Sequence, residues 1–181
     1  MRIIAGTARG VRLAAVPAGT RPVSDRAREG LFSSLGAAVP GAAVLDLFAG
    51  TGAMGIEALS RGAARALFVD SSPAAVAAVR ENLRRARLAG RAEVKRQDAL
   101  LALRSGIGGF ELVILDPPYR LPGERLDAVL GEIAGQSVAA SGAIVVLTRQ
   151  TRSYMPVIPV DWAPVRRLAY GDAVVQLFQT P

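Results

Sequence analysis

The chain reads as an α/β protein: a doubly wound, seven-stranded sheet, mostly parallel, that closes in an antiparallel carboxyl-terminal hairpin and carries a small amino-terminal β-hairpin and helix. Three observations predict this. From about Val44 onward, short apolar runs alternate with amphipathic stretches in βαβ fashion. The first run leads directly into a glycine-rich bend, Gly50-Thr51-Gly52-Ala53-Met54-Gly55. The run from Phe110 to Leu115 lacks polar alternation, as a strand covered on both faces requires.

Taken in order, Arg2 to Ala5 and Val11 to Ala14 flank a glycine-containing turn and suit a hairpin. Ser24-Asp25 can cap a helix carrying Leu31, Phe32 and Leu35. Pro40 and Gly41 mark the boundary between an extension, residues 1–40, and the main domain, residues 41–181. Strands are expected at Val44 to Phe48, Arg65 to Asp70, Ala92 to Arg96, Phe110 to Leu115, Ala143 to Leu147, Pro164 to Ala169 and Ala173 to Phe178. After Pro73, the helical spacing of Val76, Val79, Leu83 and Ala86 predicts a helix that Gly90 closes; Leu126, Val129, Leu130 and Ile133 predict another. Tyr170-Gly171-Asp172 is too short for a crossover, so the last two strands must pair antiparallel.

At 181 residues the chain makes one domain of ordinary size, and 51% hydrophobic residues suffice for a substantial core. Its apolar runs stay well short of the roughly 20 residues a membrane span needs. The stretch after Met1-Arg2 is cut by Gly6, Arg9 and Gly10 before a leader's apolar region forms, so the cytosol is the expected location. With no Cys and no His, there is no thiol nucleophile, no imidazole base and no zinc site to expect. Chemistry falls to carboxylates, hydroxyls, backbone groups and a cofactor.

A net charge of +7 and a pI near 11.1 point to a polyanionic partner, most simply nucleic acid. Residues 1–28 carry six arginines against Asp25 alone. Arg2, Arg9, Arg12, Arg21 and Arg26 are therefore the candidate RNA contacts. Arg80, Arg84, Arg87 and Arg91 would align as one stripe on a helix, a pattern that suits a solvated face ahead of phosphate contact.

The glycine bend contains G-x-G-x-x-G between a strand and a helix, the pattern of a nucleotide cofactor site. Asp70, twenty residues beyond Gly50 at the end of the second strand, fits the carboxylate that accepts from ribose hydroxyls. Asp46 discriminates between cofactors. A carboxylate just before the bend repels a pyrophosphate and favours the ammonium and sulfonium of S-adenosylmethionine. Asp98 can accept from an adenine amino group or cap a helix over Ala99 to Arg104, and both roles are compatible. The candidate cofactor set is Asp46, Phe48, Gly50, Gly52, Asp70, Ser71, Asp98 and Ala99, with no metal expected.

Asp116-Pro117-Pro118-Tyr119 follows the fourth strand, at the sheet edge where α/β ligands bind. Two prolines stiffen the turn and fix a carboxylate, the Pro117 carbonyl and an aromatic plane relative to one another. Acceptors that hold both hydrogens of an exocyclic base amine can turn its lone pair toward an electrophile. Tyr119 can stack on the base.

These residues resemble the class I S-adenosylmethionine-dependent methyltransferases, a Rossmann-like group, and within it the enzymes whose D/N-P-P-Y/F motif methylates amino nitrogens. More narrowly, Arg2-Ile3-Ile4-Ala5-Gly6, Arg9-Gly10, Arg21-Pro22, Asp25-Arg26-Ala27-Arg28-Glu29 and Leu31-Phe32 are similar to the RsmD family. So are Leu45-Asp46-Leu47-Phe48-Ala49-Gly50-Thr51-Gly52, the strand-end Leu115-Asp116-Pro117-Pro118-Tyr119, and Tyr170-Gly171. That family comprises 16S ribosomal RNA guanine-N2 methyltransferases. The resemblance implies a seven-stranded sheet, a cofactor pocket completed by the arm helix and so by Ser24, and the partly assembled small ribosomal subunit as substrate. A monomer without membrane association is expected. The chain departs from the family pattern at Val23-Ser24, where two threonines are expected, and at Thr148-Arg149, where acidic residues are expected.

Other readings of the same residues are a DNA or RNA adenine-N6 or cytosine-N4 amino-methyltransferase, a protein glutamine methyltransferase, or a non-catalytic RNA-binding module. No segment is long enough for a separate DNA-recognition region, and the basic arm disfavours a protein substrate. Guanine N2 and adenine N6 are both exocyclic amines, so only the resemblance chooses guanine.

Overall fold

The computed structural model describes residues 1–14 and 23–181. Five parallel strands, β1 (Ala43–Leu47), β2 (Arg65–Asp70), β3 (Ala92–Arg96), β4 (Phe110–Leu115) and β5 (Ala139–Gln150), form most of the sheet; β6 (Ala163–Tyr170) and β7 (Ala173–Gln179) complete it. The order is β3-β2-β1-β4-β5-β7-β6, with β7 antiparallel to both neighbours. The winding reverses between β1 and β4, which pair directly, and ligands of open α/β sheets bind outside the strand ends at that reversal.

Alternation along the buried strands sends side chains to two separate apolar clusters. Val44, Leu112, Ile114 and Val146 face the arm, α1 (Asp25–Leu35), α2 (Ala53–Ser60) and α3 (Pro73–Ala86). Leu45, Leu47, Val113, Leu115, Val145 and Leu147 face α4 (Ala99–Arg104) and α5 (Gly123–Gly135), where Trp162 and Phe178 also pack with ring centroids 6.2 Å apart. Truncating one of these fully buried leucines to Ala costs about 2–5 kcal/mol. Among the described residues, no helix is long and apolar enough to cross a membrane.

The expected strands and helices form, with four differences. β1 stops at Leu47, because Phe48 turns to φ +60°. β5 is much longer than Ala143 to Leu147 and pairs with β4 through a register shift between Phe110 and Leu112. α3 ends not at Gly90 but at Arg87, a left-handed cap with φ +58°; Gly90 lies in a 3₁₀ turn instead. The expected arginine stripe is thereby broken: Arg84 pairs with Glu81, and the Arg91 guanidinium donates to the carbonyls of Ala63 and Leu59. In the amino-terminal arm, the expected hairpin reduces to a single antiparallel bridge between Arg2 and Arg12.

Polar groups fasten this arm to the sheet layer. Glu57 on α2 is fully buried and accepts from the amides of Ile4 (2.8 Å) and Ala5 (3.1 Å) and from Arg61 Nε (2.7 Å). Arg28 on α1, also buried, donates to the Arg2 carbonyl and to Asp25. Ser24 caps α1 by accepting from the Ala27 amide. Because Ile3, Ala8, Leu13, Leu31 and Phe32 belong to the same apolar cluster as β1 and β4, the arm shares the core of the main domain.

At the outer edge, β6 carries Pro164, Arg166 and Arg167 and shifts register between Pro164 and Arg166.

Candidate active site

The bend after β1 is built from alternating left-handed residues. Phe48, Gly50 and Gly52 have φ of +60°, +56° and +75°. Only the two glycines adopt this freely, so Phe48 holds a conformation uncommon for its type, as often happens where a backbone is shaped for a ligand. Gly55 serves packing: a Cβ there would lie 2.4 Å from the Phe68 ring and 3.0 Å from Asp46 Oδ2. Its absence lets α2 settle onto β2 and lets the Gly55 amide donate to Asp46 Oδ2 at 2.9 Å.

Two carboxylates are fixed by this bend. Asp70 accepts from the Gly50 amide on one oxygen and from the Ser72 amide on the other, both at 2.9 Å. Ser72 caps α3, while Ser71, the residue singled out from sequence, stands exposed beside it. Asp46 is 1% exposed. Burial raises its carboxyl well above the usual carboxylate range; the Gly55 hydrogen bond opposes this, and the charges of Asp116 and Asp70 push it further up. Asp70 and Asp116 thus both act on Asp46 around the β1–β4 reversal.

Asp116 follows β4 on the adjoining strand. It is partly buried, and desolvation pushes its carboxyl up to about 7. Pro117 beside it is buried, Pro118 is exposed, and Tyr119 is 38% exposed. The Leu121 amide donates to the Pro118 carbonyl at 2.9 Å and closes the turn.

The other sequence-predicted residues are more dispersed. Asp98 does cap α4, accepting from the amides of Leu100 and Leu101, and its second oxygen pairs with Arg125 of α5. Its neighbour Ala99 is buried. Ser24 and Arg26 line a cleft with Ala169, Tyr170 and Gly171, so the arm helix faces the β6–β7 turn. Arg2, Arg9, Arg12 and Arg26 are all exposed, as phosphate contacts must be; Arg21 lies outside the described residues.

Sequence reasoning missed two features. Asn82 on α3 is fully buried, donates to the carbonyls of Thr51 (2.9 Å) and Ala14 (3.2 Å), and accepts from the Ala14 amide (2.7 Å). It joins the arm to the glycine bend across 68 residues of sequence, and no local pattern announces it. Thr148 and Arg149, near the end of β5, stood out in the sequence only as a departure from the family pattern, and their burial did not show.

These residues fit S-adenosylmethionine. The Asp70 carboxylate is aimed by the backbone of the bend, the three aspartates favour a cationic ligand, and the left-handed glycines allow close approach of a ligand to the main chain. Among the described residues, no group of three or more His, Cys, Asp or Glu is placed to hold a metal ion.

Comparison with known proteins agrees with this geometry. The family described as conserved hypothetical protein 95 matches residues 1–179. Ribosomal RNA small subunit methyltransferase D of Escherichia coli strain K12 is 32% identical over 180 residues, covering 99% of this chain and 89% of the relative. YlbH of Bacillus subtilis strain 168, a protein whose name places it provisionally among rRNA methyltransferases, is 35% identical over 183 residues, covering 99% and 98%. The solved structure of yhhF from Escherichia coli, provisionally titled a methyltransferase, superposes with a TM-score of 0.89 at 32% identity, covering 99% of this chain and 97% of that one.

Proposed function

The chain belongs to the family of conserved hypothetical protein 95, the RsmD family of methyltransferases, and from that premise we propose that it methylates an exocyclic guanine N2 amine in the 16S rRNA of the small ribosomal subunit. The observation that carries the proposal is the placement of Asp116 on the strand next to the glycine bend, close enough for its charge to act on Asp46.

S-adenosylmethionine, when bound, supplies an electrophilic methyl group. Asp46, Phe48, Gly50, Gly52, Asp70 and Ser71 would hold it, with Asp98 and Ala99 at the adenine end and Ser24 on the arm side. Asp70, already oriented by two amides, has the geometry to take ribose hydroxyls. Asp116 and the Pro117 carbonyl accept the two hydrogens of the target amine and turn its lone pair out of the ring plane. The nitrogen gains a methyl group and loses one proton. A carboxyl pushed up to about 7 by burial is well matched to receive that proton near neutral pH. Tyr119 stacks the base, and the rigid proline turn keeps stacking plane and acceptors in register.

The exposed arginines of the arm supply phosphate contacts, which give affinity and orientation more than sequence choice. Incubating the protein with labelled S-adenosylmethionine and small subunits lacking the modification, then mapping the labelled nucleotide by mass spectrometry, tests the reading. Methylated guanine N2 in 16S rRNA is the expected product. No transfer, or label on an adenine or a protein, would overturn it.

A further inference from the structure

Near its carboxyl end, strand β5 carries two consecutive polar residues, Thr148 and Arg149, that are 2% and 3% exposed. Among the described residues, Thr148 Oγ1 and Arg149 Nε and Nη1 have no hydrogen-bond partner. A buried guanidinium with unmet donors is strongly unfavourable, and buried polar groups are satisfied in the great majority of cases. Two such residues side by side at a ligand-binding strand end therefore call for an explanation outside packing.

Their position supplies one. Leu147 pairs with Leu115, so one residue further along Thr148 stands beside Asp116, and the next step sets Arg149 beside Pro117. By strand alternation Thr148 falls on the face of Ile114 and Asp116, and Arg149 on the face of Leu115 and Leu147. Burial lowers the pKa of Arg149, and the one ionisable group that opposes this is Tyr119. The two unmet donors therefore flank the catalytic turn from the neighbouring strand.

We infer that Arg149 receives an oxygen acceptor of the nucleotide whose amine Asp116 holds, foremost the keto oxygen of guanine. This rests on the proposed role of Asp116 and goes beyond it in assigning the choice of base. A guanidinium only donates; it suits guanine, which presents O6 beside its ring nitrogen acceptor, and mismatches adenine, which presents an amino group at that place. The amine and keto groups of guanine lie on one edge of the base, and neighbouring strand tips are about 4.8 Å apart, a span that lets one strand take the amine and the next the oxygen. The nucleotide's phosphate is the other acceptor oxygen available to the same donors. Because Arg149 is buried, the nucleotide meets it as the exposed Tyr119 side chain re-orients on the rigid proline turn to stack the base.

The test uses the whole protein labelled with nitrogen-15 and saturated with S-adenosylhomocysteine, with the Arg149 Nε–H resonance assigned by its loss in Arg149→Met. Guanosine 5′-monophosphate, adenosine 5′-monophosphate and ribose 5-phosphate are added in turn. A shift with the guanosine nucleotide alone assigns the keto oxygen, a shift with all three assigns the phosphate, and a resonance unmoved by any of them overturns the inference. In methyl transfer to small subunits, Arg149→Met should lower kcat/KM on the order of 10- to 100-fold. It should leave cofactor affinity unchanged and the melting temperature equal or higher, since an apolar side chain replaces a buried, desolvated charge. Arg149→Lys should recover part of the loss. Unchanged kcat/KM, or a loss matched by falling melting temperature and cofactor affinity, would make Arg149 structural. Failure of the wild-type protein to methylate small subunits would sink the proposed function alone, because the resonance titration does not depend on turnover.

Discussion

The two banks of the proposed site, the glycine bend after β1 and the proline turn after β4, differ in how completely their polar groups are satisfied. On the glycine-bend side, Asp70 has a donor on each oxygen, Asp46 holds the Gly55 amide, and Asn82 uses its oxygen and its amide nitrogen together. On the turn side, Thr148 and Arg149, the neighbours of Asp116, carry buried donors without acceptors among the described residues. A bank satisfied by the protein itself is formed before its ligand arrives. Under the proposed function the satisfied bank takes the cofactor and the bank left wanting takes the base, and the difference says which substitutions should disturb which.

The sharpest test of that division is Asp116→Asn. It should lower methyl transfer by about 10²- to 10³-fold while calorimetry shows cofactor affinity unchanged; a parallel loss of cofactor binding would merge the two banks. The same variant carries a pH signature. The folded protein holds the Asp116 proton up to about pH 7, whereas an unfolded aspartate releases it near 3.9. The resulting stabilisation is full below about pH 4 and is lost as pH climbs through 7. Melting temperature in the wild type should therefore fall across that window, and Asp116→Asn should flatten the fall.

Next in size, Asp70→Asn should weaken S-adenosylmethionine binding about 10- to 100-fold, read by calorimetry, without changing which base is methylated. Asn82→Ala leaves the Ala14 amide and the Thr51 carbonyl without their partner and should cost about 1–3 kcal/mol, seen as a lower denaturant midpoint. If its effect falls on small-subunit KM instead of stability, the arm and the bend are coupled functionally more than mechanically. The smallest effect is expected of Arg9 and Arg12 changed together to Ala: the salt dependence of RNA binding should flatten by roughly one to two units of slope, with catalysis at saturating RNA preserved.

Much of this was legible in the sequence because local rules dominate where the chain is regular. The apolar run Phe110 to Leu115, the G-x-G-x-x-G bend and the Ser24 and Asp98 caps each depend on neighbours within a few residues. What stayed hidden depends on partners far away in sequence. Glu57 reads as a surface residue of a helix, yet it accepts the amides of Ile4 and Ala5 some fifty residues back. Asn82 likewise looked like part of a solvated helix face. The helix stop was misplaced because Gly90 offered the usual signal, whereas Arg87 takes the left-handed cap without being glycine. At the site itself, the carboxylates announced themselves by their spacing, but the unmet donors of Thr148 and Arg149 emerge only when β5 is laid beside β4.

The rims of the sheet have a consequence for the fate of the molecule at high concentration. An open strand edge is a template onto which another chain can add by backbone pairing. Here one border strand, β6, breaks its ladder with Pro164 and a bulge and bristles with Arg166 and Arg167, while the opposite border, β3, presents Glu93, Lys95 and Arg96. Both ends of the ribbon are thus capped against growth by neighbouring copies, so molecules of this basic protein can be held close together without zipping into fibres.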